Sequence, residues 1–451
     1  MTRKRTITGW FTVTALVLVA LPGLVQAACD TSVGKFVSIT GSVDVQSTGG
    51  SAWATAKLET RLCEGDTIRV GERSRAAVSL INNAVLRIDQ NTAMRLIDIT
   101  PQDEEQSILD VFTGAFQSFS RKPKFLRVNT PYLNGSVEGT EFVFRVEDEE
   151  ATITVLEGVV LASNNQGELR VEPGESAQAA KGQAPQKRVV VKPRDLVQWG
   201  LYYPPVMSVA TPGDVSPAIQ NAATLLSLGR VDEARAEIDA ALQKDAKSGA
   251  AYALRAVIAV ALNDNETALS DARRAVELSP GSASAKIALS YAQQANLELA
   301  AARDTLLQAV DQEPENALAW ARLAELHLML GNRREASAAA ERAVALEPGL
   351  SRTQNVLGFA ALAEIRAAQA QVAFEQAIAL DSDDPMPRLG LGLAKIRQGQ
   401  LEEGRADLEA AVALDSNNAL LRAYLGKAYF EEKRGPLDAR QFDVAKDLDP
   451  L

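Results

Sequence analysis

The sequence predicts two architectures in one chain, an all-β domain in the first half and an all-α superhelical solenoid of short repeats in the second. Three observations carry that expectation. Between Val33 and Val171 apolar residues recur with a period near two, broken by turn residues. From Val215 a 34-residue frame restarts at Gly249, Ala283, Ala317, Ser351, Pro385 and Ala419 without an insertion. The length of 451 residues exceeds what one ordinary core holds, and 46% apolar with 23% charged residues marks a folded chain. A formal charge of −11 argues against nucleic acid, because phosphate binding needs clustered cations. Only Arg121, Lys122 and Lys124 form a basic run, read as a solvated loop.

The first residues read as an export signal over 1–27. Arg3, Lys4 and Arg5 precede the apolar run from Trp10 to Val25, and Val25-Gln26-Ala27 supplies a small-x-small cleavage pattern before Ala28. Thr12, Thr14, Pro22 and Gly23 interrupt the run, so no transmembrane span is expected after cleavage. The destination is then the periplasm or cell envelope. Lipidation at Cys29 is the weaker alternative, since Gln26 stands where a Leu-like residue is wanted. In an oxidising compartment Cys29 and Cys63 are expected to pair. Closing a loop of about 35 residues stabilises by roughly 3–4 kcal/mol in the chain-entropy model. Two thiols without a neighbouring histidine do not make a metal site.

Residues 28–180 make up the β domain. Strands are expected over Gly34 to Val45, Thr67 to Val70, Ala76 to Leu80, Ala84 to Ile88 and Met94 to Ile99. Others follow over Ser107 to Phe112, Phe125 to Val128, Glu141 to Val146 and Thr152 to Val155. The acidic runs at Asp103 to Glu105 and Glu147 to Glu150 read as hairpin tips, lacking the alternation of a calcium loop. Gly139 permits a tight backbone passage, and Gly158 marks a bulge or turn between two short strands.

Three segments of this half resemble the FecR family. They are Gly65-Asp66-Thr67-Ile68 with Ser74-Arg75-Ala76, then Val128-Asn129-Thr130-Pro131 with Val137-Glu138-Gly139-Thr140-Glu141-Phe142, then Val155-Leu156-Glu157-Gly158-Val159-Val160. The resemblance spans roughly residues 30 to 180 and implies a periplasmic sensing or docking module. Gly139, Thr140, Phe142 and Gly158 are read as structural positions of it. The regulator that names the family carries a cytoplasmic domain before a membrane helix. Here nine residues precede the apolar segment, so direct transmembrane signalling is not expected.

A linker over 181–214 changes character, ending in Trp199, Leu201, Tyr202 and Tyr203 before Pro204-Pro205. Large apolar groups at that density are expected to dock on the first helices of the second half. Residues 215–451 then hold seven repeats. Position 8 is always small (Ala222, Ala256, Ser290, Ala324, Gly358, Gly392, Gly426) and position 27 is always alanine. Small residues there let two antiparallel helices approach, and Pro280, Pro314, Pro348 and Pro450 close repeats at position 32. This resembles the tetratricopeptide repeat, whose superhelix lines a concave groove with its first helices. The resemblance implies a protein or peptide partner in that groove. Its candidate lining is Leu226, Val257, Tyr291, Leu328, Phe359 and Leu393, with Arg322, Arg352 and Arg397 as polar anchors. The paired Lys and Asn of carboxylate-clamp members are not reproduced. No polar capping helix follows the seventh repeat, so the natural chain is expected to continue past Leu451 or to be covered there.

No catalytic set is expected. His327 is the single histidine, at a packed helix position, so neither a triad nor an imidazole metal site has a second base. No phosphate loop or dinucleotide fingerprint appears, and no cofactor is implied. The sequence therefore predicts a non-enzymatic envelope scaffold that binds proteins, possible clients being envelope or outer-membrane proteins. The alternative is a component relaying a periplasmic signal to a membrane regulator.

Overall fold

The computed structural model describes residues 29, 31–100, 107–189, 193–207, 216–432 and 435–448. The expected export signal and the Asp103–Glu105 tip lie outside these residues, as do the side chains of Arg121, Lys122, Lys124 and Thr140. Fourteen strands come first: β1 (Gly34–Thr40), β2 (Val43–Gln46), β3 (Trp53–Thr55), β4 (Arg61–Leu62), β5 (Thr67–Val70), β6 (Arg75–Leu80) and β7 (Ala84–Ile88). They continue with β8 (Ala93–Asp98), β9 (Ser107–Asn129), β10 (Asn134–Glu147), β11 (Glu150–Asn164), β12 (Gly167–Val171), β13 (Glu175–Ala180) and β14 (Gln186–Val189). All strand pairings among the described residues are antiparallel, in the main order β14-β13-β11-β10-β9-β7-β6-β1-β4, with β2, β3, β5 and β8 forming a second path back to β9. Phe36, Val78, Leu86, Phe116, Phe142 and Phe144 meet inside, the last three as an aromatic cluster with centroids 5.8–6.0 Å apart.

The strands differ from the sequence expectation in several places. Gly34 to Val45 divides at Gly41 (φ +79°) into β1 and β2, which pair with different strands. Strand β14 extends the sheet into the stretch read as linker. Ser107 to Phe112 and Phe125 to Val128 belong to one 23-residue strand, β9. Its partner changes midway: β8 pairs with residues 108–113 and β7 with residues 116–120. Gly114 (φ +90°) stands at the change and supplies the bend that lets one strand serve both. Similarly, Gly158 does not separate two strands. It lies inside the 15-residue β11, with φ +92°, directly across from Gly139 of β10 where the register slips. Glu147 and Glu150 flank the β10–β11 hairpin turn, and Asp148 takes φ +46° there.

The helices follow as pairs. They are α1 (Pro217–Ser227) with α2 (Val231–Lys244), α3 (Gly249–Ala261) with α4 (Asn265–Leu278), α5 (Ala283–Ala295) with α6 (Leu299–Gln312), and α7 (Ala317–Met329) with α8 (Arg333–Leu346). Then come α9 (Ser351–Ala363) with α10 (Ala367–Leu380), α11 (Pro385–Arg397) with α12 (Leu401–Leu414), and α13 (Ala419–Glu431) with α14 (Gly435–Leu448). The residue before each first helix is its N-cap. Ser248, Ser282, Asn316, Asp384 and Asn418 each accept a backbone N–H there. Position 15 takes a left-handed turn in six repeats, at Gly229, Asn263, Leu297, Gly331, Ile365 and Gly399.

The small residues act as the repeat pattern requires. Gly392 of α11 and Gly404 of α12 face each other so closely that a Cβ on either would lie 2.6 Å from the other's carbonyl oxygen. A Gly392→Ala variant therefore has to spread the helix pair, an overpacking cost of about 1–3 kcal/mol. Gly281, with nothing within 4 Å of its would-be Cβ, is the control. Urea unfolding is expected to show the loss for Gly392→Ala and a change within about 0.5 kcal/mol for Gly281→Ala.

Candidate functional site

Strands β6 and β7 have no solvent face. Ala76, Val78, Leu86 and Ile88 point into the β core, while their alternating neighbours Ala77 and Val85 join a second cluster with Val37 and Phe119. That cluster is completed by the solenoid, through Leu389, Leu408, Val412, Leu425 and Tyr429. The period of two thus buries one set of side chains in each domain. The two halves share a continuous apolar seam.

Charge is buried along the same seam. Asp383, in the loop between α10 and α11, pairs with both Arg75 of β6 and Arg87 of β7, and accepts from Ser38 Oγ at 2.9 Å. Other guanidinium N–H groups reach backbone carbonyls, while the Nε–H of each arginine has no hydrogen-bond partner among the described residues. Arg75 donates to the carbonyls of Trp199 (3.1 Å), Leu201 (3.3 Å) and Ser227 (3.1 Å), and Arg87 to that of Gly200 (3.2 Å). Burial alone would raise the Asp383 pKa, but Arg75 and Arg87 outweigh it and hold the carboxyl below its ordinary value. A second pair closes the far end: Arg422 Nη2 lies 2.7 Å from Glu141 Oε2, and both side chains are 0% exposed. Gln117 donates to the other Glu141 oxygen at 2.8 Å. Arg230 pairs with Asp89 at 2.5 Å beside the first repeat.

The linker is the third member. A 3-10 helix (Pro193–Gly200) delivers Leu201, Tyr203, Val206 and Met207 into the core formed with Ile219 and Leu226. Tyr202 turns the other way, to the inner side of the solenoid, where it hydrogen-bonds Asp384. Burial pushes its phenol well above the ordinary tyrosine value.

Between Tyr202, Pro204 and the first helices lies a cavity of about 590 Å³. Arg322, Glu325 and Arg352 line it and, with the fully buried Asp384 next to Arg352, form an alternating ladder. The contacts are 2.8 Å (Arg322–Glu325), 2.5 Å (Arg352–Glu325) and 3.5 Å (Arg352–Asp384). Tyr291 accepts from Arg352 at 2.7 Å, and the Arg322 guanidinium stacks 3.8 Å from its ring centroid. The arc of repeats closes behind this cavity: Asn263 donates to the Asn417 carbonyl (3.2 Å) and Asn417 to that of Ala261 (3.1 Å).

Of the nine residues read as groove lining, Tyr291, Arg322, Leu328, Arg352 and Phe359 line this cavity. Leu226 and Val257 do not; they are 4% and 1% exposed within the helix core. Leu393 packs half-buried against the C-terminal clusters, and Arg397 is exposed, donating to the Leu362 carbonyl at 3.2 Å. The family frame assigns positions from a regular superhelix, and the way each helix pair rotates decides which of them face inward. Gly139 and Gly158 pair across β10 and β11, and Phe142 belongs to the β core. Cys29 and Cys63 form a disulfide across 34 residues. Sequence reasoning missed Arg75, Glu141, Asp383 and Arg422. The first two sit inside the family-like motifs themselves, as charged residues in strands, and that was the available signal.

Among the described residues no group of three His, Cys, Asp or Glu side chains is arranged to hold a metal. His327 is buried, and burial lowers its pKa below the ordinary histidine value. No helix among them is long and apolar enough to cross a membrane.

Residues 66–161 match the family described as FecR protein, and residues 220–283 and 389–451 match the tetratricopeptide repeat. No curated protein matches the chain. Among solved structures, Cut9 in the APC/C Cut9-Hcn1 hetero-tetramer is 16% identical, with 51% of this chain and 46% of that one covered and a TM-score of 0.44. Pseudomonas aeruginosa pilF is 21% identical, with 45% and 92% covered and a TM-score of 0.33. YrrB, a tetratricopeptide repeat protein, is 19% identical, with 40% and 92% covered and a TM-score of 0.26. The chain spans less than half of the Cut9 chain, and these overlaps carry no argument about function.

Two measurements test the seam. Glu141→Ala strands a fully buried Arg422 and is expected to cost about 3–5 kcal/mol in denaturant unfolding. The pH dependence follows from Asp415 and Asp381, which burial raises to about 7 and about 6 respectively. A carboxyl raised in the folded state contributes stability at low pH that is lost as pH rises through its folded value. Asp383, held low, works in the opposite sense only below its ordinary range, and His327, lowered by burial, opposes the two raised carboxyls as a single group. Tm is therefore expected to be higher at pH 5 than at pH 8, and Asp415→Asn is expected to flatten that slope.

Proposed function

We propose that this chain, which joins a FecR domain to tetratricopeptide repeats, is an exported, non-enzymatic envelope scaffold. Its repeats recruit a protein client on their inner side, and its β domain fixes the orientation in which that client is presented. The observation that carries the reading is the seam. Asp383, Arg75, Arg87, Glu141 and Arg422 hold sheet and solenoid in one arrangement, with the lined cavity left beside it. Protein–protein interaction is what such repeats support, and the FecR match supports a signalling-related module. The Cys29–Cys63 disulfide supports an oxidising compartment, in keeping with the export signal read in residues 1–27.

The test is a cross-linked pull-down from envelope extract with residues 28–451 as bait. The control bait carries Phe359→Glu and Met386→Glu in the cavity wall, with folding checked by circular dichroism. Clients held by the first bait and lost by the folded control support the reading. Identical captures by both baits would place recruitment elsewhere.

A further inference from the structure

We propose that one edge of the solenoid, formed by the turns inside repeats three to six, seats on a phospholipid bilayer. Leu297 and Ile365 are the side chains that enter it, with Met329 and Leu401 beside them. Leu297, Ile365 and Leu401 do not line the inner cavity, and the proposal goes beyond the scaffold reading without depending on it.

Three observations converge on it. The first is strain. Residue 15 of the frame carries the chain from first to second helix at positive φ. Gly229, Gly331 and Gly399 adopt that turn without steric cost, and Asn263 tolerates it. Leu297 (φ +60°) and Ile365 (φ +65°) are ill suited to it, the β-branched isoleucine most of all. Packing does not compensate them. Leu297 is 64% and Ile365 67% exposed, among the four most exposed large apolar side chains of the described residues. Strain kept together with exposed apolar surface points to a role outside the fold.

The second is where these residues fall. The first turn is covered by the chain itself, since a Cβ on Gly229 would lie 2.3 Å from Arg75 Nη1 and 2.4 Å from the Trp199 carbonyl oxygen. The second is tied through Asn263 to the Asn417 carbonyl. The next four are open: Gly331 and Gly399 have nothing within 4 Å of a would-be Cβ, and Leu297 and Ile365 are exposed. Each open turn carries an exposed apolar group, Met329 and Leu401 (both 47% exposed) serving where position 15 is glycine. The first helices of these repeats pack in succession, α5 on α7, α7 on α9 and α9 on α11. The tips therefore follow one another at about 8–10 Å, in a row of roughly 25–30 Å.

The third is form and charge, which select the occupant. Turn tips are convex. A rigid protein surface needs a matching pit for each of them, whereas headgroups and acyl chains deform around every tip and bury it. The flanking side chains suit that surface. Over residues 13 to 18 of the four repeats, Arg333, Arg334, Arg366 and Arg397 stand against Glu298, Glu364 and Glu402, all seven exposed. The edge thus carries +1 (4 − 3) on a chain of −11. Anionic headgroups that repel the molecule as a whole do not repel this edge.

The experiment is flotation of residues 28–451 with large unilamellar vesicles of phosphatidylethanolamine and phosphatidylglycerol. Starting at residue 28 keeps the apolar run from Trp10 to Val25 from contributing. The parent chain is expected to float with the vesicles. Leu297→Gly and Ile365→Gly install the residue that three other repeats already carry at this turn, so Tm is expected to hold or rise. Each is nonetheless expected to weaken partitioning about tenfold, and the double variant is expected to stay in the bottom fraction. Leu307→Ala removes a comparably exposed side chain (44%) from the middle of α6 and is expected to bind like the parent. A parent chain that does not float, or a double variant that floats equally, overturns the proposal. A lower Tm in either glycine variant also overturns it, because packing within the fold then accounts for these side chains. If the parent is dimeric by light scattering, the double variant monomeric and neither floats, the edge joins two copies of this chain and the lipid proposal falls.

Discussion

One buried carboxylate, Asp383, constrains how the three parts of this chain meet. It lies in a loop between helices and pairs with two arginines from adjacent strands, Arg75 and Arg87. A single anion cannot satisfy two guanidinium groups, each with five N–H donors. Part of the excess is met by carbonyls of the linker at Trp199, Gly200 and Leu201, and of the first repeat at Ser227, all through Nη atoms. Sheet, linker and solenoid are therefore tied in one network, and none of the three can shift without stranding a buried charge.

The position of Asp383 within its repeat makes the point sharper. It is residue 33 of the 34-residue frame, a loop position occupied elsewhere by Lys247, Gly281, Glu315 and Gly349, all exposed. Asp383 and Asn417, in the same place in later repeats, are buried. Nothing in the repeat pattern distinguishes them. The β sheet covers the last repeats and not the middle ones, and the consequence extends to α12, where Leu408 to Leu414 are buried on every side. What would be a solvent-facing second helix in an isolated solenoid has become an interface helix.

Much of the architecture could be read without coordinates. The frame starting at Gly249, Ala283, Ala317, Ser351, Pro385 and Ala419 coincides with the first residue of α3, α5, α7, α9, α11 and α13. Such a pattern is local: it depends on 3.6-residue periodicity, on small residues where helices touch and on caps, all of which sit within one repeat. The strands were harder. β9 looked like two strands because residues 121–124 interrupt its apolar pattern, yet pairing with β10 on one side carries the ladder through. The site was harder still. Tyr291, Arg322 and Arg352 could be named from the frame, but Arg75 and Glu141 were read as parts of structural motifs, since their partners lie 308 and 281 residues away (383 − 75 and 422 − 141).

The sequence by itself determined the division into β domain and solenoid, the number and phase of the helical repeats and the two cysteines that pair. Each follows from residues close in the chain or from chemistry that needs no geometry. Only the tertiary structure decided that the sheet lacks a solvent face along β6 and β7, that the linker forms one wall of the inner cavity and that the buried Asn355 Oδ1 has no hydrogen-bond partner among the described residues. Those features depend on which surfaces meet across hundreds of residues. A buried charge or an orphaned oxygen is defined by what surrounds it, and no periodicity in the chain records its surroundings.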